Sequence, residues 1–121
     1  MAGRSGFTIV HRDDLERNGK WSLVRKSLGC NSFGINLVEI PAGDSIPEHD
    51  ETGRDQEEIF FVLSGSPVMV VDDVEYPAPA GTFVRLDPHH RRTVRNHGDE
   101  PASVLIVSAP RTSGYEDMGW A

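Results

Sequence analysis

The sequence predicts an all-β domain, an antiparallel sandwich or barrel. Its apolar residues fall in short runs of strand length, most of them rich in Val, Ile and Phe. Between those runs lie clusters of Gly, Pro, Asp and Asn, which supply the backbone angles that chain reversals need. No long amphipathic helix pattern separates any two runs, so neighbouring strands are read as antiparallel rather than joined by crossover helices.

Taken in order, Phe7–Val10 is the first strand-length run. Asp13–Asn18 has some helical character but is too short to be more than a turn. Trp21–Val24 and Phe33–Ile40 follow as strands, and Pro41-Ala42-Gly43 closes the second. Ile59–Leu63 and Val68–Val71 are separated by the turn residues Ser64-Gly65-Ser66-Pro67. After Asp72-Asp73 and the Pro77–Gly81 stretch comes Gly81–Leu86, and Asn96–Pro101 leads into the last strand, Ala102–Ser108. The segment from Pro110 to Ala121 carries no strand pattern. It holds Tyr115, Met118 and Trp120, which suit a tail docked on the barrel or on a second subunit better than a frayed end.

A length of 121 residues is enough for one domain with a single core and too short for two. The reading is one barrel domain over residues 1–121, with 110–121 as its C-terminal tail. Nineteen acidic residues against twelve basic ones leave a net charge of −7, which argues against a nucleic-acid partner. Charged residues at 26% and apolar ones at 37% describe an ordinary soluble domain, not a disordered or membrane-bound one. Met1–Val10 lacks the long apolar run of a signal peptide or membrane span. Cys30 is the single cysteine, so no intrachain disulfide forms, and a cytoplasmic location is the simplest expectation. A lone Cys is more often a small apolar residue than a nucleophile. No P-loop, dinucleotide fingerprint or G-x-S-x-G elbow is present.

Two clusters carry the chemistry. The first spans Gly43–Gly65. In extended chain His49 and Glu51 point the same way. On the following strand Glu58, Phe60 and Val62 share one face, and Ile59, Phe61 and Leu63 the other. A carboxylate on the Phe60–Val62 face enters an apolar cavity and needs a cation, a metal or a proton as partner. Asp50, Asp55 and Glu57 are read as solvated loop residues. The second cluster, Gly81–Asn96, holds six His or Arg among sixteen residues in a chain that is acidic overall. If Val94 faces the core, Arg92 does too, while Arg91, Thr93 and Arg95 face out. An inward Arg needs carboxylates, and Glu51 and Glu58 are on offer.

The spacing of these clusters resembles the two motifs of the cupin superfamily, small antiparallel β-barrels of the jelly-roll type. In the first, Gly43 is followed after five residues by His49, after one more by Glu51, after six by Glu58 and after six by Gly65. In the second, Gly81 is followed after five by Asp87, after one by His89, after two by Arg92 and after three by Asn96. Gly43, His49, Glu58, Gly65, Gly81 and Asn96 match the family's residue types, and the resemblance implies a jelly-roll barrel with Glu58, Phe60, Val62, Arg92 and Val94 lining its interior. The family's metal-binding members hold a divalent ion with three His and one Glu. Here the corresponding positions are His49, Glu51, Glu58 and Arg92, and the loop before Glu58 is longer than the family pattern. Arg stays protonated, is a poor ligand and repels a metal.

The favoured expectation is therefore a small-molecule-binding barrel in which an Arg–carboxylate cluster fills the metal position. Its ligand-binding residues are His49, Glu51, Glu58, Phe60, His90 and Arg92, with Arg92 able to hold an anionic ligand such as a carboxylate. The alternative is a metal-dependent enzyme, of dioxygenase or isomerase type, using His49, Glu51, Glu58 and His90 on Zn, Fe or Mn. Neither nucleic acid nor membrane is expected as a partner. A homodimer is expected from the resemblance and from the apolar outward face of Ile59, Phe61 and Leu63.

Overall fold

Runs rich in β-branched and aromatic residues pair side by side, because their side chains pack well on a pleated, half-buried surface. The computed structural model describes residues 2–3 and 6–121. Its strands are β1 (Ala2–Gly3), β2 (Thr8–Ile9), β3 (Arg17–Asn18), β4 (Trp21–Ser22), β5 (Gly34–Ile40) and β6 (Gln56–Ser64). They continue with β7 (Val68–Val71), β8 (Val74–Pro77), β9 (Phe83–Leu86), β10 (Arg92–Arg95) and β11 (Ala102–Pro110). One helix, α1 (Val24–Leu28), joins β4 to β5. Every pairing is antiparallel.

The larger sheet runs β3-β4-β5-β11-β6-β9 and the smaller β10-β7-β8, with β1-β2 as a separate ribbon. Residues 44–49 extend the smaller sheet along β10 through bridges at Ser45–Arg95 and His49–Arg92. Between the sheets lies the core, built on Val38, Ile40, Phe60, Val62, Val104 and Ile106 from the larger sheet and Met69 and Val94 from the smaller, with Ile46 and Leu86. This is the antiparallel jelly-roll barrel expected from the sequence, with sheets that stay open at their edges instead of closing into one ring. Among the described residues no helix is long and apolar enough to cross a membrane.

Two motif residues are structural. Gly65 has φ +85°, and a Cβ there would lie 2.8 Å from Ala102 Cα and from the Pro101 carbonyl oxygen, so only glycine fits. The buried Asn96 amide donates to the carbonyls of Ile40 (3.0 Å) and Glu100 (2.7 Å), and its oxygen accepts from the Gly98 N–H. It ties the end of β5 to the loop entering β11.

Several expectations are corrected. The run Trp21–Val24 is a strand only to Ser22, and Val24 opens α1. That helix ends at Gly29 in the left-handed conformation, whose N–H caps the carbonyls of Arg25 and Lys26. Asp13–Asn18 divides into the end of a 3-10 turn, Arg12–Asp14, and the strand β3. Thr93, expected outside, is buried: it pairs with the buried Val70, and its hydroxyl donates to the Ile46 carbonyl at 2.6 Å. The added strand at 44–49 is what makes that acceptor available. The tail is not docked on its own barrel in the way expected, since Tyr115, Met118 and Trp120 all remain exposed.

Candidate functional site

Strand alternation aims Glu58 inward from β6, on the same face as Phe60 and Val62, and all three are buried. Opposite, β10 sends Arg92 and Val94 into the same interior. Arg92 is fully buried, and its Nη1 donates to Glu58 Oε1 at 3.1 Å. Its Nη2 donates to the Asp87 carbonyl at 2.6 Å. Its Nε is buried with no hydrogen-bond partner among the described residues.

His49 reaches the pair because its backbone exchanges two hydrogen bonds with Arg92, His49 N–H to the Arg92 carbonyl at 3.0 Å and the reverse at 2.8 Å. Glu51 is brought in by the turn that follows. Its N–H donates to the Pro88 carbonyl, and its own carbonyl accepts from the N–H groups of Arg54 and Gln56. Asp55 closes that turn with φ +51°. His49 Nε2 then lies 3.2 Å from Glu51 Oε1 and 3.6 Å from Glu58 Oε1.

The ring's protonation follows from its neighbours. Nδ1 sits 3.0 Å from the Pro47 carbonyl, which only accepts, so Nδ1 carries a proton. Nε2 faces two carboxylates, which favour the protonated ring. The His49 pKa is raised above its ordinary value, chiefly by its interaction with Glu58. Burial opposes that shift, while the Pro47 carbonyl and the charges of Glu58 and Glu51 support it. Two basic side chains, His49 and Arg92, therefore meet two acidic ones, Glu51 and Glu58.

This donor set does not fit the metal centre that the cupin resemblance implies. The ligand atoms of His49, Glu51 and Glu58 do gather within 4.8 Å of one another. The fourth position, however, is a guanidinium hydrogen-bonded to the same Glu58 oxygen that faces His49. A divalent ion there would compete with Arg92 for that oxygen and sit beside a fixed positive charge at low dielectric.

The remaining predicted site residues lie as follows. Phe60 is fully buried in the core, one inward step beyond Glu58 on the same strand. His90 does not gather with the other three: its Nδ1 is held by Asp72 Oδ2, and its ring stacks on His89 with centroids 4.1 Å apart. Asp72 sits in the β7–β8 turn, where it and Asp73 both have positive φ, as a two-residue hairpin loop requires. Two contributors were missed. The Asp87 carbonyl is a backbone group that no side-chain pattern reveals. Ser108 pairs with Glu58 across β11–β6; its signal was the inward alternation Ala102, Val104, Ile106, Ser108, which turns polar at the mouth of the barrel.

The profile of the cupin domain matches residues 36–108, more than half of the chain. A curated relative, an uncharacterized protein of Methanocaldococcus jannaschii, is 28% identical over 101 residues, covering 79% of this chain and 78% of that protein. Among solved structures, a cupin protein from Bacteroides fragilis superposes with a TM-score of 0.80 at 20% identity, over 96% of this chain and 94% of the other. A sugar phosphate isomerase from a cupin superfamily, from Silicibacter pomeroyi, gives a TM-score of 0.73 at 21% identity, over 84% and 75%. These likenesses establish the fold.

Proposed function

The chain belongs to the cupin domain family, and we propose that its barrel binds a small anionic molecule through the Arg92–Glu58–His49–Glu51 cluster, without a resident metal. The observation that carries this reading is the Arg92 Nε–H, a donor buried inside the barrel with no acceptor among the described residues. An orphaned buried donor costs about 1–3 kcal/mol. A ligand carboxylate accepting from it offsets that cost and adds a charge-assisted bond. Glu58 and the Asp87 carbonyl hold the guanidinium in place, so its orientation is set before a ligand arrives. His49, 3.2 Å from Glu51 and 3.6 Å from Glu58, supplies a second basic group beside the guanidinium.

The test follows the Arg92 Nε–H resonance in nitrogen-15 NMR while acetate and malonate are titrated in. A saturable shift of that resonance, with the accompanying backbone amide shifts of the site lost in Arg92→Lys, supports the reading. No response of Arg92 alongside shifts scattered over the surface overturns it.

A second reading, a metal-dependent enzyme of isomerase or dioxygenase type, draws on the convergence of His49, Glu51 and Glu58. Metal content decides between the two. We also propose that the chain pairs as a homodimer through the outward face of its larger sheet. There Phe61 stacks on Phe83, with ring centroids 4.2 Å apart, and Phe83 and Leu63 are exposed.

A further inference from the structure

Most positive charge among the described residues of this acidic chain is paired locally. Eight of the eleven described Lys and Arg lie within ion-pair distance of a carboxylate. Among the described residues Arg17, Arg25 and Arg54 have no such partner. Arg17 donates to the Gly19 carbonyl. The other two line one pocket of about 280 Å³, whose walls include no Asp or Glu among the described residues. Two unpaired guanidiniums in one concavity of a chain with net charge −7 mark a place where an anion is favoured.

The pocket is also polar and organised. Asn31, Ser32, Gln56 and Ser108 contribute hydroxyl and amide groups to its wall. Arg25 is held by a bond from its Nη1 to the Cys30 carbonyl at 3.1 Å, which leaves its other N–H groups free. Arg54 sits in the turn after Glu51, which Arg111 secures through both its backbone N–H and its guanidinium on Asp55. Gly34 lacks the positive φ that would demand glycine. A Cβ there would instead come within 2.8 Å of Ser108 Oγ, so the missing side chain gives that hydroxyl its room.

Register connects this pocket to the site inside the barrel. Ser108 pairs with Glu58 on one side and with Gly34 on the other, and Pro110 pairs with Gln56. Gln56 and Glu58 are two residues apart on one strand, hence about 6.6 Å apart on the same face. We propose that Arg25 and Arg54 form the outer half of the ligand site and hold a dianionic oxyanion, of the phosphate monoester class, at the barrel mouth. This rests on the reading that the inner cluster binds a small anionic molecule; the ligand then spans from the arginine pair to Arg92. Two guanidiniums match a dianion in charge, and their planar forks suit its oxygens.

The experiment titrates the full chain with inorganic phosphate, and separately with malonate, following backbone amides and the Arg92 Nε–H in one set of NMR spectra. Phosphate should saturably shift Arg54, Gly34 and Ser108. In the Arg25→Gln/Arg54→Gln variant its dissociation constant should rise at least about tenfold, the loss expected for charge-assisted bonds. Both arginines are exposed, so the remaining resonances verify that this variant is folded. Unchanged phosphate affinity in the double variant, or tighter binding of malonate than phosphate at these amides, overturns the inference. The Arg92 resonance in the malonate arm reports on the inner site independently, so either half can fail alone.

Discussion

Removing either member of the Arg92–Glu58 pair should damage the fold far more than removing an ion pair on the surface. The two side chains are 0% and 7% exposed and meet at 3.1 Å. Breaking a buried pair from one side typically costs about 3–5 kcal/mol, because the remaining charge is stranded away from water. Arg92→Met leaves Glu58 with only His49 and also frees the Asp87 carbonyl, so a loss near the upper end of about 3–5 kcal/mol is expected. Glu58→Gln keeps an acceptor for Arg92 but removes the charge, so about 3 kcal/mol is expected. The double variant strands neither member of the pair and should lose less than the sum of the two, by at least about 1 kcal/mol of coupling. Arg91→Met is the control: its partner Glu48 is 2.7 Å away, but Arg91 is 62% exposed, and such pairs are worth about 1 kcal/mol or less. Urea titrations of the four variants at one near-neutral pH measure all of this. Small, additive losses at Glu58 and Arg92 would refute the buried cluster.

The other expectations concern pH, the fourth ligand position and assembly. Because His49's pKa is raised in the fold above its ordinary 6.5, its contribution to stability is complete below pH 6.5 and fades as pH rises through the folded value. The stability difference between the parent protein and His49→Gln should therefore shrink above that range, and a difference that grows with pH would contradict the raised pKa. Arg92→His removes the competing charge and adds an imidazole donor, so zinc affinity measured by competition with a chromogenic chelator should rise more than about tenfold, given that outer-sphere changes alone shift affinity by 10–100-fold. Unchanged affinity would show that Arg92 is not what excludes the metal. Sedimentation should find a species of twice the 13.3 kDa chain mass, reduced to the monomer by Phe83→Glu; a 13.3 kDa species alone at micromolar concentration counts against the dimer.

What was legible in the sequence was what alternation controls. Glu58, Phe60 and Val62 face inward as their two-residue period requires, and so do Arg92 and Val94. Partners brought by turns were less visible. His89 and His90 are adjacent in an irregular loop, so no period decides where His90 points; Asp72, eighteen residues earlier, decides it. Thr93 obeys alternation in direction but is buried because residues 44–49 add a strand beside β10, a long-range event with no local mark. Helix α1 is only five residues long, below the length at which apolar periodicity declares itself, and its clearest sign is Gly29 in the left-handed conformation. The outer arginines escaped for a related reason. Arg25 and Arg54 lie far apart in sequence, and only the fold shows that neither has a carboxylate partner.

In the metal-free reading the guanidinium of Arg92 occupies the metal position and holds Glu58. The most direct test of that reading is the metal content, by inductively coupled plasma mass spectrometry, of protein purified without chelators or metal-affinity tags. Well under one equivalent of zinc, iron or manganese per chain is expected, with no change on His49→Ala. One equivalent of a single metal, lost in His49→Ala, would contradict it.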